Sequence, residues 1–420
     1  MRPGSWLVAG VAATALVTAP ASWAGDQKPP EQTATEPPDK AKDGQGPDGF
    51  VIQSGDSDFR IRIGGYAQAD GRFFADHGEG TATNTFLVRR ARLVLQGTVA
   101  RYFDFYIDPD FGLGQTVLFD AYLNVRPSSK LQFRIGKFKS PVGLERLQSG
   151  QNILLAERAL PTALVPNRDV GAEVHGELAG GIASYALGVF DGALDGALVD
   201  IDTNDGKDLA GRLFLQPFAR GASALKGLGL GVSGTRGRQQ GALPSFRSGG
   251  QLVFFSYLSS ASADGNRTRI SPQFSFYRGP VGAFGEYVRS RQAVRNGAGV
   301  TPVSNEAWEV TASVLLTGET ATAGVRPRRS FDPSKGTWGA LELAVRANRL
   351  TVDGAAFSHG LADPTKSARG ARAWAIGLNW YLNRNVKYMV DFERTTFTGG
   401  AAGGNRPAEN AILVRSQVAF

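Results

Sequence analysis

Arginine is the residue whose abundance and spacing most directly indicate a chemistry for this chain. Of the 46 basic residues, 35 are Arg and 11 are Lys, and the formal charge is +8. The guanidinium group is a flat, permanently charged fork that matches oxyanions, whereas the lysine ammonium is a point charge. The arginines are scattered rather than gathered in one basic run, so nucleic acid is not an expected partner. The pattern indicates interaction with small anions.

Residues that usually carry catalysis are sparse. The chain has three His and no Cys, and it contains neither a His-Glu-x-x-His nor a Gly-x-Ser-x-Gly motif. His77 and His359 fall in predicted loops, while His175 alternates with Glu173 and Glu177, as a wall residue of a strand would. The run Gly227–Gly231 lacks the glycine spacing and the following helix of a phosphate-binding loop. No cofactor or metal site is expected.

The first residues have the form of an export signal. Arg2 precedes an apolar stretch from Trp6 to Val17, and small residues lead to a predicted cleavage site after Ala24. The apolar stretch is shorter than the roughly 20 residues that a membrane-spanning helix needs. Residues 25–58 are rich in Pro, Asp, Lys, Gln and Gly and are predicted to form a disordered linker. The remaining residues, 59–420, are expected to form one folded unit.

In that unit, apolar and polar residues alternate with a period of two, which is typical of strands with one apolar and one polar face. In the first segment, Ile61, Ile63 and Ala67 oppose Arg62, Tyr66 and Gln68. Sixteen strands are predicted near 59–73, 85–99, 102–110, 117–126, 130–138, 169–178, 182–190, 208–217, 227–236, 267–278, 280–291, 305–317, 337–350, 371–382, 385–397 and 408–420. A weaker segment, 251–258, is assigned to a loop. An even number of strands is expected of a bacterial single-chain barrel.

The predicted connections support a barrel because long and short ones alternate. The long set is 74–84, 111–116, 139–168, 191–207, 237–266, 292–304, 351–370 and 398–407, and the short set is interrupted only by 318–336. The chain ends in Phe420 on an aromatic strand, similar to the signal by which outer-membrane barrels are inserted. The expected fold is all-β: a 16-stranded antiparallel transmembrane β-barrel in the bacterial outer membrane.

The polar face of such a barrel indicates its function. The inward face lines water and the outward face contacts lipid. A charge on the lipid face costs roughly 2–4 kcal/mol at the bilayer midplane. The alternating arginines are therefore expected to face inward, where they would attract anions and repel cations.

The long connection 139–168 after the fifth strand is expected to fold into the barrel. Its sequence is mostly apolar but carries Glu145, Arg146, Glu157, Arg158 and Arg168. An apolar segment of this length would not remain in water, so it should pack against the inside of the wall and set the narrowest part of the lumen.

Several short motifs resemble the phosphate-selective porin O and P family. They are the residues of 86–92 (Phe-Leu-Val-Arg-Arg-Ala-Arg), 118–122, 135–139, 143–146, 316–319, 331–333, 339–343, 377–383 and 415–420. Their order and spacing extend over residues 59–420. The resemblance implies a homotrimeric porin whose arginine-rich constriction selects phosphate or polyphosphate.

The resemblance also implies a set of site residues. By position, the residues that would contact the anion are Arg89 and Arg90, Arg146 and Ser149 on the infolded loop, and Arg212 with nearby Lys207. Asp120 would weaken binding enough for the ion to leave. Arg89 lies on the outward phase of its strand, so it requires a twist or bulge to reach the lumen. Gln151 stands where the family carries a later Lys. A general porin without phosphate preference, an outer-membrane barrel enzyme and a secreted carbohydrate-binding or adhesin β-protein remain alternatives.

Overall fold

Sixteen antiparallel strands form a sheet that closes on itself in the computed structural model, which describes residues 44–46, 49–55, 58–75, 82–198, 200–202, 204–322 and 324–420. Closure is made by the last strand, which pairs with the first from Ala419↔Tyr66 to Ala411↔Phe74. The wall strands are β1 (Arg60–Phe74), β2 (Thr85–Val99), β3 (Phe103–Asp110), β4 (Val117–Ser128), β5 (Leu131–Phe138), β6 (Asp169–Leu178), β7 (Ala183–Phe190), β8 (Asp208–Leu215), β9 (Leu228–Gly241), β10 (Ala261–Arg278), β11 (Val281–Asn296), β12 (Gly299–Leu315), β13 (Ala340–Thr351), β14 (Ala368–Tyr381), β15 (Val386–Ala401) and β16 (Glu409–Ala419). Each overlaps its predicted segment, so the predicted fold class is confirmed.

Helical structure is confined to single turns. The α-helices are α1 (Leu144–Leu147) and α2 (Ala355–Ser358), and 3₁₀ turns occupy Gly112–Gly114, Leu160–Leu164 and Pro333–Lys335. Within the described ranges, every helix is too short to cross a bilayer. The segment assigned to a loop at 251–258 contains Val253–Ser256, which pairs with Ser245–Arg247 in a small two-stranded sheet that is separate from the barrel sheet.

The long connection at 318–336 is explained by its path. Ala321 and Val325 are buried against the inward-facing Tyr381, and the amide of Ala321 donates to the carbonyl of Gly279 at 2.7 Å. The connection therefore folds back under the barrel at the end where the other turns are short. Its length provides apolar cover for that end.

Part of the segment predicted to be a disordered linker is ordered, because Gly44–Gly46 and Gly49–Gln53 form two short strands. The second pairs with the start of β1 from Gln53↔Arg60 to Phe50↔Ile63. The final strand reaches β1 only at Tyr66, so this edge of β1 would otherwise leave backbone donors and acceptors unpaired. The predicted signal peptide and residues 25–43 lie outside the described residues.

The two faces of the sheet differ as predicted. On β14, Trp374, Ile376 and Leu378 are exposed on the outside, whereas the intervening Ala373, Ala375 and Asn379 are buried inside. Successive residues of a strand therefore alternately contact lipid and face the lumen.

One expectation about this alternation is wrong, because some arginines face outward. They include Arg236, Arg238, Arg289, Arg291, Arg349, Arg372 and Arg394, all exposed and all in the outer halves of β9, β11 and β13–β15. Their strand partners include the outward indoles of Trp308 and Trp374. The cost of a charge on the outer face falls to about 0–1 kcal/mol near the interfaces, so these positions tolerate arginine where the midplane would not.

Candidate functional site

The connection between β5 and β6, residues 139–168 and here called the infolded loop, runs through the inside of the barrel. Wall residues bind its main chain: Glu286 on β11 accepts from the amides of Leu144 and Glu145 at 2.8 and 3.0 Å. Asp391 on β15 accepts from the amide of Ala156 at 2.5 Å. The loop is thus attached to two widely separated parts of the wall, as the predicted infolding requires.

Amide and ammonium groups of the wall bind the carbonyl groups of the same loop. Gln68 Nε2 donates to Gly150 O at 3.0 Å, and Asn379 Nδ2 donates to Leu154 O at 2.9 Å. Lys387 Nζ donates to Gln151 O at 3.1 Å. These contacts fix the segment 150–154 against β1, β14 and β15, so the loop has one path across the lumen.

Apolar side chains explain why the loop is inside. Val142, Leu164 and Val165 are fully buried, and they pack in one cluster with Phe138 and Phe190 of the wall. The aromatic rings of the small two-stranded sheet, Phe246, Phe254 and Phe255, complete this cluster. The loop and the small sheet therefore narrow the barrel from within by forming a continuous apolar core.

Glu157 is the main acidic residue on the loop where it faces β1 and β2. Its carboxylate receives Arg89 Nε at 2.6 Å and Arg72 NH2 at 2.9 Å. Burial by itself would raise the pKa of Glu157, but the charge and hydrogen bonds of Arg89, with the charges of Arg90 and Arg72, hold it well below its usual range. The carboxylate therefore stays ionised and neutralises part of the nearby positive charge.

A β-bulge in β2 directs the side chains of Arg89 and Arg90 to the inside of the barrel. Gln68 pairs with Arg90 and the next residue, Ala69, pairs with Val88, so Arg89 is the extra residue of β2. Such a bulge changes the phase of side chains along the strand. Arg89 is on the outward phase by simple alternation, and the bulge is the irregularity that lets its guanidinium reach Glu157.

Three guanidinium groups next to the loop lack a carboxylate partner within 4 Å among the described residues. Arg90 NH1 donates to Gln68 Oε1 at 2.6 Å. Arg146 donates to Asn167 Oδ1 at 3.2 Å and to the Thr162 carbonyl. Arg158 donates to the carbonyls of Glu145 and Gln148. Because their hydrogen-bond partners are neutral oxygens, no ion pair with a described carboxylate compensates the charge of these three side chains.

Electrostatic neighbours confirm that this part of the loop is positive. Burial, followed by the charges of Arg158 and Arg168, lowers the pKa of Arg146 to about 9. Burial is also the main cause that lowers the pKa of Arg158. Arginine stays protonated at neutral pH in proteins, so an anion in contact with these two guanidiniums would offset the cost of burying their charge.

The segment 148–150 joins these groups. Arg158 and Lys139 both donate to the carbonyl of Gln148, Lys139 at 3.0 Å. A Cβ atom built on Gly150 would lie 2.7 Å from Tyr66 Oη and 3.3 Å from Arg90 Nε, so only glycine allows the loop to approach them. Ser149, half-buried, lies between these two residues. The loop segment that contains the predicted residue Ser149 therefore passes next to the predicted residue Arg90.

Asp120 and Arg212 also lie on the inner wall. Asp120 accepts from Arg168 Nε and NH2 at 3.2 and 3.0 Å, so its charge neutralises that guanidinium. Arg212 stands opposite Ser233, whose hydroxyl accepts from the amide of Gly143 at 3.4 Å. Arg212 therefore faces the lumen near the start of the infolded loop.

Lys207 is placed elsewhere. It lies in the connection before β8, where it pairs with Asp202 and with Asp191 at 3.6 Å, and its side chain is 44% exposed. The hydrogen bond to Asp202 is the main cause of its raised pKa. No contact joins it to the other predicted site residues in the described part of the chain.

Sequence reasoning did not assign a site role to Lys139, Arg158 or Tyr66. Arg158 was visible as a basic residue of the infolded loop, but nothing in its spacing indicated contact with Gln148. The hydroxyl of Tyr66 is buried, has no hydrogen-bond partner in the described part of the chain, and lies next to the loop at Gly150. His175 faces Asn124, with 2.9 Å between Nε2 and Oδ1, as expected of a wall residue, and His77 lies outside the described residues.

The closed barrel and its infolded loop define the class of the molecule, which is an outer-membrane porin. The chain belongs to the phosphate-selective porin O and P family, whose model matches residues 61–420. Porin O of Pseudomonas aeruginosa is 25% identical over 379 residues, which cover 82% of this chain and 84% of that protein.

Solved structures share the fold at low sequence identity. The outer-membrane channel DcaP of Acinetobacter baumannii has a TM-score of 0.59 at 10% identity, covering 89% of this chain and 100% of that one. An anion-selective porin from Comamonas acidovorans has a TM-score of 0.56 at 11% identity, covering 86% and 100%. The trimer form of OmpT from Vibrio cholerae has a TM-score of 0.53 at 10% identity, covering 86% and 99%.

Proposed function

We propose that this porin forms an arginine-lined channel for the passive diffusion of small anions, with phosphate or polyphosphate as preferred solutes. The observation that carries the proposal is the group formed by Arg90, Arg146 and Arg158 on and beside the infolded loop, whose partners are neutral oxygens. Guanidinium groups bind oxyanions through two parallel N–H donors. An anion that entered the constriction would supply the negative charge that the protein does not.

The neighbouring groups suit an oxyanion. The Tyr66 hydroxyl and Arg90 both lie next to Gly150, and Lys139 places an ammonium group against Gln148. Ser149 adds a hydroxyl group between these two loop residues in the chain. Phosphate has several oxygen atoms to accept from these donors, so it gains more contacts than chloride. The carboxylates of Glu157 and Asp120 keep the total charge moderate, which matters because conduction requires a site that the ion can also leave.

The relatives support the proposal without deciding it. Porin O is a relative over most of the chain, and one structural neighbour is an anion-selective porin. Another neighbour was solved in a trimer form, and we infer that this chain also forms a homotrimer. We infer a channel rather than a barrel enzyme because the family and the structural neighbours are porins and channels.

The selectivity of the channel tests the proposal. Planar bilayers containing the purified protein should show a reversal potential close to that of chloride across a potassium chloride gradient. Changing Arg89 and Arg90 together to Ala should move it towards zero, because two of the constriction's guanidiniums are lost. The matched control is Arg394→Ala, which removes an outward guanidinium from the same barrel. Equal reversal potentials for the double variant and the control would contradict the site assignment.

Phosphate preference needs a separate measurement. Phosphate, pyrophosphate and sulfate should each block chloride current, and phosphate or pyrophosphate should do so at lower concentration than sulfate. Equal block by all three with retained anion selectivity would leave a general porin without phosphate preference. Release of a chemical product by the purified protein, without ion current, would instead support an enzyme.

A further inference from the structure

A cleft opens on the outside of the barrel, towards the outer ends of β12–β15. It has a volume of about 240 Å³ and is lined mainly by Trp308, Ala347, Arg372, Trp374 and Thr396. Ala347 pairs with Trp374 across the strands, so a methyl group forms the floor beside an indole wall. The two indoles are 38% and 48% exposed. The cleft is therefore a narrow apolar slot that is open to the surrounding lipid.

Two arginines stand at the outer end of this slot. Arg349 and Arg372 are direct partners across β13 and β14. Neither guanidinium makes a hydrogen bond or an ion pair with a described residue. Glu306, the acidic residue on this face, pairs instead with Arg289 at 3.4 Å. Like charges directly opposite each other destabilise a sheet, and an anion between them would replace that repulsion with charge-assisted hydrogen bonds.

The outward aromatic residues of β14 indicate the depth of the cleft in the membrane. Along the outside of β14, Trp374 and Trp380 enclose the apolar residues Ile376 and Leu378. Aromatic residues of barrels lie at the two membrane interfaces, on either side of the apolar band. Arg372 is two residues beyond Trp374 towards the outer connection, so the two arginines lie at the depth of lipid headgroups in the outer leaflet.

We propose that this cleft binds a phosphorylated acyl lipid of the outer leaflet. Its phosphate would lie between Arg349 and Arg372, and an acyl chain would lie over Ala347 between Trp308 and Trp374. The expected ligand is amphiphilic, because the apolar floor of the slot at Ala347 lies next to Arg349 and Arg372, which have no described ion-pair partner. The cleft is on the opposite face of the sheet from the constriction, so this inference is independent of the proposed function.

Lipid binding by the purified full chain in detergent tests the proposal. Native mass spectrometry would compare three probes: a hexa-acylated glucosamine disaccharide with two phosphate monoesters, its phosphate-free counterpart, and inorganic pyrophosphate. We expect wild type to bind the bisphosphorylated lipid at least tenfold more tightly than the phosphate-free one. Arg349→Gln with Arg372→Gln should abolish that difference. Ala347→Trp, which fills the slot, should weaken binding of both lipids.

The control is Arg329→Gln with Arg384→Gln, which removes two exposed arginines from connections at the opposite end of the barrel. It should bind the bisphosphorylated lipid as wild type does, and all variants should keep wild-type reversal potentials. Equal binding of that lipid by wild type and the Arg349/Arg372 variant would overturn the proposal. If pyrophosphate displaced the bound bisphosphorylated lipid as effectively as the free lipid does, the site would be a simple anion contact and not a lipid site. Dissociation of the oligomer in the Arg349/Arg372 variant would identify the face as a subunit interface instead.

Discussion

Removing the charge of Glu157 should strengthen anion binding in the constriction. Its carboxylate holds Arg89 at 2.6 Å and Arg72 at 2.9 Å. Glu157→Gln keeps the size of the side chain and an oxygen that can still accept from the arginines, but it removes one negative charge. An anion held beside Arg90 would then experience less repulsion. The phosphate concentration that blocks half of the chloride current should therefore be lower in Glu157→Gln than in wild type.

The size of the effect follows from Coulomb's law. For a charge at roughly 6 Å from the bound anion, the repulsion removed is ~0.7 kcal/mol with the dielectric constant of water and ~2.8 kcal/mol with an effective value near 20. Those limits correspond to a half-blocking concentration about 3-fold to about 100-fold lower. The phosphate dianion would double the energy. A water-filled lumen favours the lower limit, and added salt should reduce the effect further because of screening.

The assay is block of single-channel chloride current by phosphate at two salt concentrations. Glu157→Asp, which keeps the charge on a shorter side chain, is the matched control and should remain near wild type in half-blocking concentration. Heat-modifiable gel mobility would establish that both variants are folded. If Glu157→Gln left the half-blocking concentration unchanged or raised it at low salt, Glu157 would not be the charge that moderates this site.

Three further outcomes are expected. Because the pKa of Glu157 is lowered in the folded protein, its carboxylate stays ionised well below the pKa of free glutamate. The difference in chloride-to-potassium permeability between wild type and Glu157→Gln should therefore be the same at pH 4.5 as at pH 7, whereas a fall to about half at pH 4.5 would indicate an ordinary pKa. Lys207→Ala should leave reversal potentials unchanged, since its charge is already paired with aspartates in an outer connection, and a clear shift would place it in the ion path. Deleting Arg89 should still give a heat-modifiable barrel, because Gln68↔Arg90 and Ala69↔Val88 then become consecutive pairs. Deleting Leu93 should abolish folding, because it would exchange the inward and outward faces of half of the strand. Equal yields of folded barrel from the two deletions would argue against the bulge.

The wall could be predicted from sequence because a lipid-facing strand has only one pattern open to it. Between Trp374 and Trp380 on β14, the outward residues are apolar and the intervening inward residues are small or polar, so the period of two identified the strand. The short turns gave the second constraint, since antiparallel neighbours can be joined directly. The infolded loop was predictable for the same reason: residues such as Ile153 and Leu155 could not be left in water.

The partners of individual charges could not be predicted in the same way. That Arg89 meets Glu157, 68 positions later in the chain, depends on the path of the loop and on one bulge. The strand Gly49–Gln53 was missed because its surroundings have a polar composition and its stability comes from the unpaired edge of β1. The outward arginines were missed because alternation gives the face of a residue but not its depth in the membrane.

The contacts of Glu286, Asp391 and Gln68 to the infolded loop involve amide and carbonyl groups of its main chain. Such contacts hold the loop whatever side chains it carries at those positions. A half-buried residue of the loop such as Ser149 can consequently be exchanged while the chain keeps its route. A lineage, or an engineer, could thus retune which solutes are admitted by substituting a few residues on an otherwise unchanged scaffold.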